Sequence, residues 1–184
     1  MGALQSAMVP AIAVAQTGAG AGRARAREAR RVSSRVVLVV GVFDLFHTGH
    51  VNLLRRSREL GDRLVIVVNG DALTSSYKRA PVMSEQDRLS VVSACRYVDH
   101  AEISNSYSIR DVIVRHGITA IVHGDDWEVE SYKQQIRCDD AFLAGHGVEL
   151  VLLPYTPGIS TSDIIARCVQ LAADGGPAQS SERG

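Results

Sequence analysis

A chain of 184 residues, 46% hydrophobic and 22% charged, can bury one substantial core but is too short for a two-domain enzyme at roughly 150 residues per domain. No apolar run approaches the roughly 18 residues that cross a bilayer, and Cys95, Cys138 and Cys168 are too scattered for a disulfide scaffold or a zinc ribbon, which points to the reducing cytoplasm. The net charge of zero divides unevenly: six arginines against the single acid Glu28 give residues 1–35 a charge of +5 and leave the remainder at −5, a sign that excludes a broad nucleic-acid footprint.

In chain order, residues 1–34 form a flexible extension rich in Ala, Gly and Arg. Met1-Gly2 with Ser6 fits a myristoylation pattern, Ala13-Val14-Ala15 a signal-peptidase site, and the acid-poor arginine run a transit peptide. Secretion is disfavoured, because the first positive side chain, Arg23, follows the apolar stretch instead of preceding it. Residues 36–40 are a continuous β-branched run, the pattern of a strand covered on both faces. Leu53, Leu54, Ser57 and Leu60 follow at helical spacing, with Gly61 as the stop. The unit repeats: a strand over 64–68 and a helix over 84–94, opened by Ser84 with Glu85 and Asp87 in its first turn. A strand over 98–103 and a helix over 106–116 closed by Gly117 come next. Then follow a strand over 118–122, a helix over 131–144, a strand over 148–153 and a helix over 160–173. This alternation predicts an α/β domain over 35–174, a Rossmann-like, doubly wound, five-stranded parallel sheet, with a polar tail over 175–184.

Such sheets bind ligands beyond the carboxyl ends of their strands, where strand order reverses. Polar residues gather there: 44–50, 69–81, 123–127 and 155–163. The first loop runs Gly41-Val42-Phe43-Asp44-Leu45-Phe46-His47-Thr48-Gly49-His50. Two histidines at a strand-to-helix turn, with Gly49 permitting close backbone approach, suit an anion. A metal pair and purely structural histidines are the other readings of this segment. The metal pair is disfavoured because Asp125 and Asp126 offer hard oxygens without a third histidine or a cysteine. At the last helix, Gly158 precedes Ser160, Thr161 and Ser162, and Ser160 with Asp163 fits a capping box. Either a second anion site or a simple cap follows from these residues.

Residues 41–50 resemble the GxFDxxHxGH signature of the cytidylyltransferases, within the HxGH nucleotidyltransferases. Further segments resemble that family in order: Tyr77-Lys78-Arg79-Ala80-Pro81-Val82, Arg88, Arg96-Tyr97-Val98-Asp99, His123-Gly124-Asp125-Asp126-Trp127 and Gly158-Ile159-Ser160-Thr161-Ser162-Asp163-Ile164-Ile165. The resemblance covers residues 35–172. It implies transfer of CMP from CTP to a phosphate- or phosphonate-bearing acceptor, with release of pyrophosphate and use of a divalent cation, usually magnesium. It also implies a homodimer. On the same ground His47 and His50 stabilise the α-phosphate, Lys78 sits by the phosphates and Arg88 joins them as a catalytic group. Val42, Phe43, Asp44, Thr48, Gly49, Asp125, Trp127, Tyr155, Gly158, Ile159, Ser160, Thr161 and Ser162 are the expected nucleotide contacts. Lys78, Arg79, Arg110 and Arg137 are the expected acceptor contacts. No protein metal ligands are implied, nor any nucleic-acid or membrane partner.

The chain departs from the pattern at Tyr155, where family members carry an arginine, and at Arg79, where many carry a second lysine. Exchanging a bidentate phosphate clamp for a single hydroxyl changes how anions are held, and Lys133 with Arg137 at i and i+4 supply positive charge or a solvated face. The tyrosine suits members that act on phosphonates such as phosphonoformate, an acceptor class that stands level with glycerol 3-phosphate. ATP-using relatives share the histidine motif, so an adenylyltransferase and a nucleotide-binding module without turnover are the alternatives. The His123-Gly124-Asp125-Asp126-Trp127 segment favours CTP.

Overall fold

A computed structural model describes residues 34–125 and 128–175. Its elements are β1 (Val36–Gly41), α1 (Thr48–Glu59), β2 (Arg63–Asn69), α2 (Asp71–Ser75), α3 (Glu85–Ser93), β3 (His100–Ser104), α4 (Arg110–His116), β4 (Ala120–Gly124), α5 (Val129–Gln135), α6 (Asp140–Gly145), β5 (Glu149–Leu153) and α7 (Thr161–Ala173). The strands pair in parallel in the order β3-β2-β1-β4-β5. This is the expected Rossmann-like sheet, with the order reversing between β1 and β4.

The alternating faces of β1 explain the layering. Val36 and Leu38 face one core cluster with Val65, Val67, Ile121 and the α4 residues Val112 and Ile113. Val37 and Val39 face the other, with Leu64, Ile66, Leu54 of α1 and Val92 of α3. Each such side chain contributes about 1.5–3 kcal/mol on burial, so a strand apolar on both faces is held centrally between helical layers. Among the described residues no helix is long and apolar enough to cross a membrane.

Four local features differ from the sequence expectation. The helix expected over 131–144 is two helices, because Arg137 adopts a left-handed conformation (φ 52°) and Asp139 opens α6 by accepting the Phe142 amide at 2.8 Å. The helix expected from 106 begins at Arg110. Before it, the hydroxyls of Ser104, Ser106 and Ser108 each accept the amide two residues on, at 3.2, 3.1 and 3.5 Å, which offers the backbone turns in place of a helix. The short helix α2 carries no period long enough to announce itself. Gly61 is required by close approach: a Cβ there would lie 2.5 Å from the Arg35 carbonyl oxygen, while Leu60 makes the C-cap of α1.

Candidate active site

The carboxyl ends of β1, β2, β4 and β5 surround a cavity of about 560 Å³ at the reversal point, where a ligand is expected. Its floor is the loop after β1. Phe43 and Leu45 hold positive φ there (54° and 46°), a conformation costly for non-glycine residues that persists where the surroundings impose it. Asp44 is the imposing group. Its carboxylate, 4% exposed, accepts the amides of Val82 and Met83 at 2.9 and 3.0 Å and the Arg79 guanidinium at 3.1 Å. Its carbonyl accepts the Thr161 hydroxyl at 2.9 Å. One residue thus ties the β1 loop to the 79–83 loop and to the head of α7. Burial pushes the Asp44 carboxyl up, but the Val82 and Met83 amides with the Arg79 charge outweigh it and hold the carboxyl below its usual range.

At the head of α1 the histidines act as caps. His47 Nδ1 accepts the Gly49 amide at 3.1 Å, and His50 Nδ1 accepts the His47 amide at 3.3 Å, a capping box built from imidazoles. With Nδ1 accepting on each ring, the neutral tautomer carries its proton on Nε2. The rings stack with centroids 3.9 Å apart, and Phe43 and Phe46 each lie 5.4 Å from the His50 ring. Burial, with the nearby His47 and Lys78 charges, pushes the His50 pKa down to about 3 against the opposing pull of Asp44. Burial also lowers that of His47. At neutral pH the site therefore presents two neutral N–H donors to the cavity. Gly49 makes this possible, since a Cβ there would stand 2.8 Å from His47 Cε1.

Opposite, Ser160 caps α7, accepting the Asp163 amide at 3.1 Å and donating to the Asp163 carboxylate at 2.7 Å. Ser160, Thr161 and Ser162 line the cavity. The first amides of a helix lack intrahelical partners and its dipole favours an anion at that end, so the Ser160 cap leaves amides that could still receive one. Gly158 turns the chain with φ 81°. Tyr155 donates its hydroxyl to the Ile159 carbonyl at 3.2 Å, and its amide donates to Asp125 at 2.9 Å.

Of the expected site residues, Val42, Phe43, Asp44, His47, Gly49, His50, Lys78, Tyr155, Ser160, Thr161 and Ser162 line one cavity. Thr48 opens α1 beside it. Arg88 differs from its expected role: its side chain is fully buried, and it donates to the carbonyls of Val42, Asn69 and Met83 and to the Asp71 carboxylate. It clamps the ends of β1 and β2 from behind, so it is a positioning residue. Arg79 is committed to Asp44. Arg110 and Arg137 lie outside this cavity: Arg110 donates to the Arg137 carbonyl at 3.0 Å and to Asp139 at 2.7 Å, and Arg137 stands 5.3 Å from the Tyr107 ring. Asp125 orients the Tyr155 amide, and Trp127 lies outside the described residues. Cavity residues beyond these expectations include Asn69, Tyr77, Tyr107, His123 and Gln135. Asn69 Nδ2 donates to the Tyr77 hydroxyl at 2.9 Å, and the Tyr107 hydroxyl pairs with Ser76 Oγ at 2.7 Å. Tyr77 and His123 stand in segments that resemble the family, Asn69 and Tyr107 lie at or just beyond strand ends, and Gln135, at the end of α5, carries no such signal.

A sequence model described as Cytidylyltransferase-like matches residues 38–167. The chain is 37% identical over 139 residues to an ethanolamine-phosphate cytidylyltransferase of Arabidopsis thaliana, covering 74% of this chain and 33% of that protein. It is 33% identical over 129 residues to the glycerol-3-phosphate cytidylyltransferase of Bacillus subtilis, covering 70% and 92%. It is 34% identical over 145 residues to an FAD synthase of Pyrococcus horikoshii, covering 75% and 95%. The match thus spans about a third of the plant protein and nearly all of the two smaller ones. Among solved structures, a lipopolysaccharide core biosynthesis protein from Thermoplasma volcanium superposes with a TM-score of 0.55 at 24% identity, over 69% of this chain and 100% of that one, a likeness of fold.

Proposed function

The chain belongs to the cytidylyltransferase-like family of nucleotidyltransferases, and we propose that it moves CMP from CTP to a small phosphate- or phosphonate-bearing acceptor, releasing pyrophosphate. The observation that carries this reading is the pair of neutral imidazoles at the head of α1, facing a cavity also lined by the head of α7. An acceptor oxygen that is already anionic attacks the α-phosphorus, and the bond to the β-phosphate oxygen breaks. No side chain needs to take a proton. The difficulty is that several anions must meet, so the contribution of the protein is position and charge stabilisation. His47 and His50 donate from Nε2 to α-phosphate oxygens as they gain charge in the transition state, Lys78 adds a cation, and the Thr161 and Ser162 amides receive the departing phosphates. A donor of this kind contributes about 100- to 1,000-fold in rate.

Magnesium, in this reading, arrives on the triphosphate and supplies charge neutralisation there. Asp44 is the only carboxylate among the described lining residues and its oxygens are taken by Arg79, Val82 and Met83, so the described residues do not fit a protein-held magnesium site and no step runs through one. Tyr155, committed to the Ile159 carbonyl, shapes the loop where an arginine would clamp phosphate, which supports an acceptor mode different from the arginine-bearing members. Phosphonates such as phosphonoformate and phosphate esters such as glycerol 3-phosphate both suit it, in a protein acting as a homodimer.

A second reading, adenylyl transfer from ATP, is favoured by the near full-length match to an FAD synthase. Incubating the protein with magnesium, CTP or ATP, and a panel holding glycerol 3-phosphate, ethanolamine phosphate, phosphonoformate and FMN, with pyrophosphate followed by phosphorus NMR, separates the two. CTP-dependent release with one acceptor supports the proposal. Preference for ATP supports the second reading, and no release with any acceptor leaves a nucleotide-binding module without turnover.

A further inference from the structure

A second cluster of chemistry-bearing side chains lies on the edge strand β3, at the opposite end from the loop whose Ser106 and Tyr107 line the cavity. His100 and Glu102 are two residues apart, so they share one face of the strand. Their register partners on β2 are Val65 and Val67, which belong to the core cluster that contains α4. His116, the last residue of α4, reaches the same place. His100 Nε2 lies 3.3 Å and His116 Nε2 lies 3.2 Å from Glu102 Oε2. The imidazole centroids are 4.8 Å apart. The other carboxylate oxygen, Oε1, receives the Arg115 guanidinium at 2.8 Å, which fixes the carboxylate plane and leaves Oε2 for the histidines. None of these groups takes part in the nucleotide site.

We propose that His100, Glu102 and His116 form a binding site for a divalent cation of the zinc class, stapling the edge strand to the end of α4. Two imidazole nitrogens and one carboxylate oxygen are a donor set that zinc uses with a fourth position open, and nitrogen donors disfavour magnesium and calcium. Bonds of about 2.0–2.2 Å at tetrahedral angles put neighbouring ligand atoms about 3.4 Å apart. The two nitrogen–oxygen separations already match that spacing, and the three ligand atoms all lie within 4.8 Å of one another. Small ring rotations close the remaining edge. Two ligands sit on a strand and one at a helix end, so the set is preassembled, and Arg115 orients the carboxylate as an outer partner does in metal sites. With side-chain exposures of 38%, 19% and 11% for His100, Glu102 and His116, the site is open enough for an ion to enter. The sequence gives no motif for it, since His116 lies 14 residues beyond Glu102.

The test titrates zinc chloride into the full chain against a chromophoric zinc indicator in metal-free buffer. Wild type is expected to bind one zinc per chain at this cluster, and His100→Gln and Glu102→Gln each to weaken that binding at least tenfold. His47→Asn, which disables the rival histidine pair, is expected to retain it. Circular dichroism confirms that the variants are folded. Cobalt(II) gives a second readout: four-coordinate visible bands in wild type and in His47→Asn that His100→Gln loses. No zinc binding by wild type, or binding unchanged in His100→Gln and lost in His47→Asn, overturns the proposal. The readout is metal occupancy alone, so it stands apart from the nucleotide chemistry.

Discussion

The imidazoles of His47 and His50 stack 3.9 Å apart and cap one turn of backbone between them, His47 accepting the Gly49 amide and His50 accepting that of His47. The same hydrogen bonds that start α1 also fix both tautomers, so folding and site preparation are one event. Asparagine is a strong N-cap, and His47→Asn is therefore expected to keep the fold while losing the Nε2 donor. Pyrophosphate release should fall about 100- to 1,000-fold with an unchanged circular dichroism spectrum. Turnover within a few fold of wild type would remove His47 from the mechanism.

Gly49→Ala separates geometry from stability. Alanine is favoured over glycine inside a helix by about 1 kcal/mol, but its Cβ would stand 2.8 Å from His47 Cε1. The ring must turn out of its cap. The propensity gain and the lost cap, each about 1 kcal/mol, offset one another, so the expected outcome is a melting temperature close to wild type with turnover reduced at least about tenfold, or about 1.4 kcal/mol in barrier. Thermal unfolding and steady-state rates on the same preparation check both halves.

Arg88 is fully buried, with its charge paired to Asp71 and its other N–H groups spent on three backbone carbonyls. Asp71 is 45% exposed and can be solvated without its partner, so the cost of losing Arg88 lies mainly in the Val42, Asn69 and Met83 carbonyls left without a donor, about 1–3 kcal/mol for a buried one. Arg88→Met should show that loss in urea unfolding. Arg88→Lys keeps the charge but cannot reach three carbonyls in a fork, so it should recover part of the stability while turnover stays depressed. Full activity in a destabilised Arg88→Lys would show that the clamp does not position the β1 loop.

The pH dependence of stability follows from His50. Its pKa falls from the usual 6.5 to about 3 on folding, so between those values the unfolded chain binds the extra proton and the folded one does not. Stability is full above about 6.5 and is lost as pH falls toward 3. The lowered carboxyl of Asp44 acts in the same direction, at lower pH. Urea midpoints measured from pH 7 down to pH 4 should decline, and His50→Gln should flatten the upper part of that decline. A midpoint that rises on acidification would contradict the neutral imidazole.

Much of this fold is legible in the residues themselves. The valine runs of β1 and β2 carry the short, β-branched pattern of strands covered on both faces, and the recurrence of strand and helix points to a parallel sheet. The histidine loop and the Ser160 cap were legible because each depends on near neighbours in sequence. What depended on tertiary contact was not. Arg137 breaks a helical pattern through a left-handed turn, the serines before Arg110 form turns instead of a helix, and Arg88 is drawn inward by carbonyls from three segments. Likewise Arg110 and Arg137, expected from the resemblance to touch the acceptor, are outside the cavity lining: Arg110 at the head of α4 is held by the Arg137 carbonyl and Asp139, and Arg137, just past the end of α5, stands over the Tyr107 ring.

The central claim is that two imidazoles at one helix head and the amides of another hold a single triphosphate between them. A crystal structure with magnesium and an α,β-methylene analogue of CTP tests it directly. The account predicts α-phosphate oxygens within hydrogen-bond distance of Nε2 of His47 and His50, with the β- and γ-phosphates at the Thr161 and Ser162 amides. Phosphates bound away from both helix heads, in a crystal where the nucleotide is fully ordered, would contradict it.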